Sequence, residues 1–183
     1  MQATWPSENI LLALLCERPM HGYELYQLVR GDEALRAIWR IEQSQLYFLL
    51  RKLKDRGHIG EKAEEQSGGP PRLVYAPTRS GRKALAEWLR APERYPHNLR
   101  DAFLAKLCLM MRYHPQAATE LVEEQKRVLR EWAMRQRERA ANGGCAALVH
   151  SLRLAQIEAM LTWLDGLCTQ LAAPMTKSTG GSS

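Results

Sequence analysis

Leucine residues recur at helical spacing along residues 41–60 and give this segment one apolar and one polar face. The apolar positions are Leu46, Leu49, Leu50 and Leu53. Ser44 is a suitable N-cap residue, and Gly57 is a suitable C′ residue after a basic last turn. The pattern therefore predicts one amphipathic helix that ends at the glycine.

Two shorter helices are predicted upstream of this segment. The first lies between Ser7 and Pro19, where an apolar stripe runs until the proline interrupts the helix. The second runs from about Gly22 to Arg30, and His21 before it is expected to cap or pack against it. Three short helices, of which the third is basic, form the pattern of a helix-turn-helix domain.

Two short extended runs follow, over residues 58–64 and 72–76, and a glycine- and proline-rich loop over residues 67–71 separates them. A hairpin directly after the third helix of a helix-turn-helix predicts the wing of a winged helix. A phosphate-binding P-loop is excluded, because no Gly-Lys-Ser/Thr follows these glycines.

The polar face of the third helix has the chemistry needed to bind DNA. Amide and guanidinium groups can read base edges, while lysines and tyrosine hydroxyls can hold phosphates. An arginine at the base of the wing can reach a phosphate or the minor groove. The predicted DNA-binding residues are Ser44, Gln45, Tyr47, Phe48, Arg51, Lys52 and Arg72. The alternative is a solvated surface, since basic amphipathic helices are common.

Four ordered motifs lie between residues 8 and 90. They are residues 19–25 (PMHGYEL), Trp39 followed by residues 44–47 (SQLY), residues 49–59, and residues 72–85. This combination resembles the PadR family of bacterial transcriptional regulators. The resemblance implies a DNA-binding regulator, more often a repressor. Ser44 and Gln45 replace the family's usual Gly-Thr, and Phe48 replaces a common proline, so the departures fall on the predicted reading face.

Beyond the proline-bounded segment at residues 92–96, the hydrophobic pattern predicts helices only. Pro115 opens a long helix to about Asn142, Gly143 and Gly144 interrupt it, and a last helix covers residues 146–171. A pair of amphipathic helices buries little surface alone, so we expect it to pair with the same helices of a second chain. The resemblance implies the same, because larger PadR-type regulators dimerise through C-terminal helices.

The predicted fold is therefore mainly α. An N-terminal winged helix-turn-helix, with three helices and a β-hairpin wing, occupies residues 1–92. An all-helical dimerisation and effector domain occupies residues 93–173, and residues 174–183 are predicted to be a disordered tail.

Trp132 and Trp163 fall on the two long predicted helices. Members of the resembled family often bind flat aromatic effectors near the dimer interface, which implies that these tryptophans could stack on such a ligand. The alternative is packing in a core or interface, the ordinary role of a tryptophan at helical spacing.

Charge and residue usage narrow the classes of function. The net charge of +6 divides equally on either side of Pro92, so it favours association with polyanions without locating a surface. The four cysteines form no CxxC pair and the histidines show no ligand spacing, which predicts buried free thiols in a reducing cytoplasm and no metal site. No nucleophile has a recognisable base, so we expect no catalytic residues, no cofactor and no enzymatic activity.

No apolar run approaches the roughly 18 residues needed to span a bilayer, and no basic leader opens the chain, so we expect a cytoplasmic protein without membrane contact. The predicted function is a homodimeric repressor that binds a pseudo-palindromic double-stranded DNA operator and is released by a small aromatic effector. Two alternatives are a winged helix that binds a protein partner and one that binds RNA. The cations from Arg51 to Arg56 argue against the first, and Tyr75 alone gives little support to the second.

Overall fold

The computed structural model describes residues 6–66 and 69–172. These residues form a mainly helical protein with one antiparallel sheet of order β1-β3-β2. The elements are α1 (Pro6–Glu17), β1 (Met20–His21), α2 (Gly22–Gly31), α3 (Glu33–Ile38), α4 (Gln43–Asp55), β2 (Ile59–Gln66), β3 (Gly69–Pro77), α5 (Arg79–Arg90), a 3₁₀ turn (Pro96–Leu99), α6 (Ala102–Tyr113), α7 (Pro115–Ala140) and α8 (Gly144–Ala172). The predicted winged helix-turn-helix followed by long helices is confirmed.

The start of α4 and the strand β1 differ from the prediction. Glu42, not Ser44, occupies the N-cap position of α4, with an extended backbone and no side-chain capping hydrogen bond. A separate short helix, α3, which the sequence pattern did not predict, lies between α2 and α4. Asp32 caps α3 by accepting a hydrogen bond of 2.9 Å from the backbone N–H of Leu35. The two-residue strand β1 is too short to produce a hydrophobic period, so the sequence pattern did not predict it.

The end of α4 follows the prediction at Gly57. This residue has a φ of 69°, a left-handed conformation that glycine adopts without steric cost. The Gly57 N–H donates to the carbonyl of Lys54 at 2.8 Å, and the His58 N–H donates to that of Leu53 at 2.9 Å. The two bonds form a Schellman motif, which stops the helix and directs the chain into β2.

Helix α1 lies at the centre of the first compact unit, which ends at His114. It contacts α4, α5, α6 and β3, and its run of leucines is buried on all sides. A helix that is apolar around its whole circumference needs neighbours on every face. The surrounding elements supply these neighbours and so hold α4 at the surface with only its leucine face covered.

The beginning of α5 packs closely on the end of α4. The Thr78 side chain accepts a hydrogen bond from the Gly81 N–H at 3.0 Å and donates one to the Gly57 carbonyl at 2.7 Å. A Cβ atom at Gly81 would overlap with the carbonyl oxygen of His58. Glycine is therefore required at this position, and the contact fixes the base of the wing.

Helix α6 belongs to the same compact unit. Lys106 is buried, and its Nζ lies 2.5 Å from Glu93 Oε1 and donates to the Ala91 carbonyl at 2.7 Å. Burial lowers the pKa of Lys106, while the carboxylate of Glu93 acts in the opposite direction. Lys106 thus holds the segment after α5 against α6. The domain boundary predicted at residue 92 stays a prediction, and the compact unit extends to His114.

The second compact unit, which begins at Pro115, contains the antiparallel hairpin of α7 and α8. Gly143 and Gly144 have φ values of 75° and 76°, so the predicted glycine turn between the two helices is confirmed. Lys126 Nζ joins the helices by an ion pair of 2.7 Å with Asp165 Oδ1. The tail predicted over residues 174–183 lies outside the described residues.

The cysteines are free thiols, as predicted, but they are not fully buried. Cys145 is exposed, and Cys16, Cys108 and Cys168 are partly exposed. Burial raises the pKa of the Cys16 and Cys108 thiols. Among the described residues, no helix has the length and apolar character required to cross a membrane.

Candidate DNA-binding surface

The outward face of α4 carries most of the residues predicted to bind DNA. The four leucines of the opposite face are buried, whereas Ser44, Gln45, Tyr47, Phe48 and Arg51 are exposed. Phe48 is 61% exposed, which is unusual for a large apolar side chain in the middle of a well-packed helix. An outward face of this composition offers amide and guanidinium groups for base edges and a ring for apolar contact with thymine methyl groups.

The cations on and just after α4 differ in whether they form ion pairs with carboxylates. Lys52 Nζ lies 2.6 Å from Glu8 Oε1, and Arg56 Nη1 lies 2.5 Å from Glu8 Oε2. The Glu8 side chain is fully buried in α1, so both cations turn toward the protein interior. Lys54 forms an ion pair with Glu61 of β2, which raises the pKa of Lys54. Arg51 is exposed and makes no ion pair with any described residue.

The N-terminus of α2 lies against the centre of this surface. A Cβ atom at Gly22 would meet Tyr47 Cε1 at 2.6 Å, so the tyrosine ring lies directly over the glycine. The neighbouring Tyr23 is 57% exposed and adds a second tyrosine to the same region. Sequence reasoning did not select Tyr23, although the glycine before it indicates a close approach of the backbone.

The wing is a three-stranded sheet rather than an isolated hairpin. β1 pairs with β3 through Met20 opposite Tyr75 and His21 opposite Val74. His21 Nε2 lies 3.3 Å from a carboxylate oxygen of Glu64, and its Nδ1 lies 3.3 Å from the Leu73 carbonyl oxygen. The sequence predicts only capping or packing for His21, whereas in the structure it connects α2 to the wing.

Arg72 lies on β3, opposite Glu64 of β2, and is exposed. Arg72 lies on the predicted wing strand, but not at the base of the wing as predicted, because its pair with Glu64 is nearer the Gln66–Gly69 tip than the Ile59–Pro77 base. The structure therefore places six of the seven predicted residues at the surface of the winged helix, with Lys52 partly covered by its pairing to Glu8. The role of these residues in binding DNA stays a prediction.

The two tryptophans predicted to bind an effector lie in the second compact unit. Trp132 of α7 is partly exposed, with the Arg135 guanidinium 4.7 Å from its ring centre. Trp163 of α8 is 46% exposed.

The search for a metal site gives no candidate in the described residues. No three or more of their His, Cys, Asp and Glu side chains form a group that could hold a metal ion.

These features define a winged helix-turn-helix domain whose third principal helix presents an exposed polar and aromatic face. Residues 11–87 match the transcriptional regulator PadR-like family. The winged helix of this chain is therefore a domain of the PadR-like family of transcriptional regulators, and the predicted resemblance is confirmed.

Two curated relatives match part of the chain. The negative transcriptional regulator PadR of Bacillus subtilis is 29% identical over 115 residues, which cover 63% of this chain and 62% of that protein. A probable transcriptional regulator of Mycobacterium tuberculosis is 34% identical over 84 residues, which cover 46% of this chain and 43% of that protein. The matches thus span less than two thirds of the length of either relative.

Similar solved structures include a crystal structure of Bacillus subtilis PadR in complex with operator DNA. The likeness covers 90% of this chain and 98% of that chain, with 22% identity and a TM-score of 0.46. A second crystal structure holds the same protein in complex with p-coumaric acid, with 21% identity and a TM-score of 0.43.

Proposed function

We propose that this chain is a homodimeric transcriptional repressor that binds a pseudo-palindromic DNA operator through α4 and the wing. The observation that carries the proposal is the exposed face of α4, from Ser44 to Arg51, within a PadR-like winged helix. The name of the Bacillus subtilis relative supports negative regulation. The proposal includes no enzymatic activity and places the protein in the cytoplasm.

The proposed dimer forms through an apolar stripe on α8. Leu148, Leu152, Ala155, Ala159 and Trp163 recur at helical spacing and are all exposed. They lie opposite the buried residues Ile157 and Leu164, which face α7 in the hairpin. An apolar stripe of this length on an exposed helix is a feature of oligomer interfaces. A second copy of α8 supplies a matching stripe, as a two-fold dimer requires.

The test of the proposed function is selection of bound duplexes from random DNA, followed by affinity measurements over a range of salt concentrations. We expect half-sites separated by about 10 bp or a multiple of that spacing.

Gln45→Ala should cost about 1–3 kcal/mol at the selected operator and little on random DNA. Arg51→Ala should weaken binding to both and lower the salt slope by roughly one for each phosphate that the protein no longer neutralises. Selection of no duplex, or equal losses for both variants on every sequence, contradicts the proposal.

We further propose that the C-terminal hairpin binds a small planar aromatic effector at Trp132 or Trp163. Binding should quench tryptophan emission and weaken operator binding, because only a ligand that prefers one state of the dimer can shift its population. The measurement is a fluorescence titration of wild type, Trp132→Phe and Trp163→Phe with phenolic acids, including p-coumaric acid, and cationic dyes. If no compound changes both emission and operator affinity, the tryptophans have a packing role.

A further inference from the structure

A basic cleft lies beside the N-terminal end of α4. The cleft has a volume of about 410 Å³ and is formed by α2, α3 and the segment that leads into α4. Its lining includes three arginines, Arg30, Arg36 and Arg40, together with Trp39 and Glu42. Glu42 is the N-cap residue of α4, so the cleft adjoins the first turn of the helix, which contains Ser44 and Gln45.

The arginines of this cleft are available to an external anion. Arg36 and Arg40 are exposed, and neither makes an ion pair with any residue in the described ranges 6–66 and 69–172. Arg30 lies over the Tyr26 ring, with its guanidinium carbon 5.5 Å from the ring centre, and no carboxylate of the described residues forms an ion pair with it. Glu42 is the single carboxylate in the lining, so the cleft has a net charge of +2.

At the C-terminal end of α4, three cations already form ion pairs with carboxylates. Lys52 and Arg56 are bound to the buried Glu8, and Lys54 is bound to Glu61. A cation already paired with a carboxylate gains less from a phosphate, because the existing ion pair must first be broken. Apart from the exposed Arg51, the unpaired positive charge near α4 therefore lies in the cleft beside its N-terminal end, although the sequence shows its densest basic run at the C-terminal end.

We propose that Arg36 and Arg40 hold backbone phosphates of the DNA duplex at the side of the groove that α4 enters. The planar guanidinium group binds two phosphate oxygens at once, which gives it a fixed orientation as well as charge. These contacts carry no base information and set the position of Ser44 and Gln45 relative to the base edges. The inference rests on the proposed function and adds a phosphate-binding site outside α4 and the wing.

The test compares the salt dependence of duplex binding by wild type and by Arg36→Ala/Arg40→Ala, using fluorescence anisotropy between about 50 and 200 mM salt. The double variant should lower the slope of log affinity against log salt by about 1.8 for each protomer, since each phosphate contact contributes about 0.9. The loss should be equal on the selected operator and on random duplex. Arg36→Lys/Arg40→Lys should keep most of the slope, because a lysine ammonium still neutralises a phosphate.

The matched control is Arg82→Ala/Arg90→Ala, which removes two exposed cations from α5 and should leave the slope at the wild-type value. All variants are checked for an unchanged thermal transition. If wild type selects no duplex or binds without salt dependence, the proposed function itself fails. If wild type binds as proposed but the double alanine variant keeps the full slope, the assignment of the cleft alone is overturned. A loss confined to the selected operator also overturns it, because that result identifies base contacts.

Discussion

Replacing Glu8 with alanine should lower the free energy of unfolding by about 3 kcal/mol, the lower end of the range for breaking a buried ion pair. The fully buried carboxylate of Glu8 is shared by Lys52 and Arg56, and both cations are only about one quarter exposed. Its removal leaves two cations at the α1–α4 interface without their partner and opens a cavity beside them. Urea denaturation at neutral pH, followed by circular dichroism, measures the change.

The matched control for this prediction is Glu61→Ala, which breaks the more exposed ion pair with Lys54. It should lower the free energy of unfolding far less than Glu8→Ala does, as breaking exposed ion pairs generally does. The Glu8 variant should also weaken operator binding, because Glu8 sets how α4 sits on α1. Equal stability of the two variants would show that the buried carboxylate does not hold α4 in place.

Leu152→Asp should convert the proposed dimer into monomers and lower operator affinity by about 10²–10⁴-fold, because each half-site then binds without the linked second contact. Leu152 is 62% exposed and lies at the middle of the apolar stripe of α8. A new charge on this stripe would have to be buried unpaired in the dimer, whereas in the monomer it stays in water. Sedimentation equilibrium and anisotropy with the selected operator measure the two effects.

Gln116→Asp is the control for the charge itself, since Gln116 is an exposed polar residue in the first turn of α7. It should leave both the dimer and the operator affinity unchanged. Because Leu152 is exposed within the single chain, Leu152→Asp should also keep a cooperative thermal transition. A variant that sediments as a dimer and binds DNA at wild-type strength would place the interface on another surface.

The leucine period of α4 and the two glycine-defined helix ends were predictable from the sequence because they depend on local geometry. In any α-helix with this sequence, one face carries Leu46, Leu49, Leu50 and Leu53. Gly57 ends the helix because it adopts a left-handed backbone conformation. The same periodicity placed Gln45, Phe48 and Arg51 on the outward face, where the structure has them. These parts of the candidate site needed no knowledge of tertiary contacts.

The division of the cations could not be predicted in this way, because it depends on contacts between residues far apart in the chain. Glu8 reaches Lys52 and Arg56 across more than forty residues. One signal was present in the sequence: Glu8 lies two residues before the apolar run that begins at Ile10 in α1, and a charged residue in such a helix needs a partner. The arginine cleft was missed for a similar reason, since Arg30, Arg36 and Arg40 show no helical period and converge only through the fold.

The pairing of Lys52, Lys54 and Arg56 with carboxylates has a consequence for the search for an operator in a whole genome. Attraction to DNA of any sequence grows with the number of cations free to displace counterions, and competing sites vastly outnumber operators. If the chain binds DNA as proposed, the pairing of three cations on and beside α4 with carboxylates should reduce its residence on irrelevant DNA. Occupancy of the proposed operator should then depend more on the exposed amide and aromatic groups of α4, and fewer molecules per cell should suffice to keep it filled.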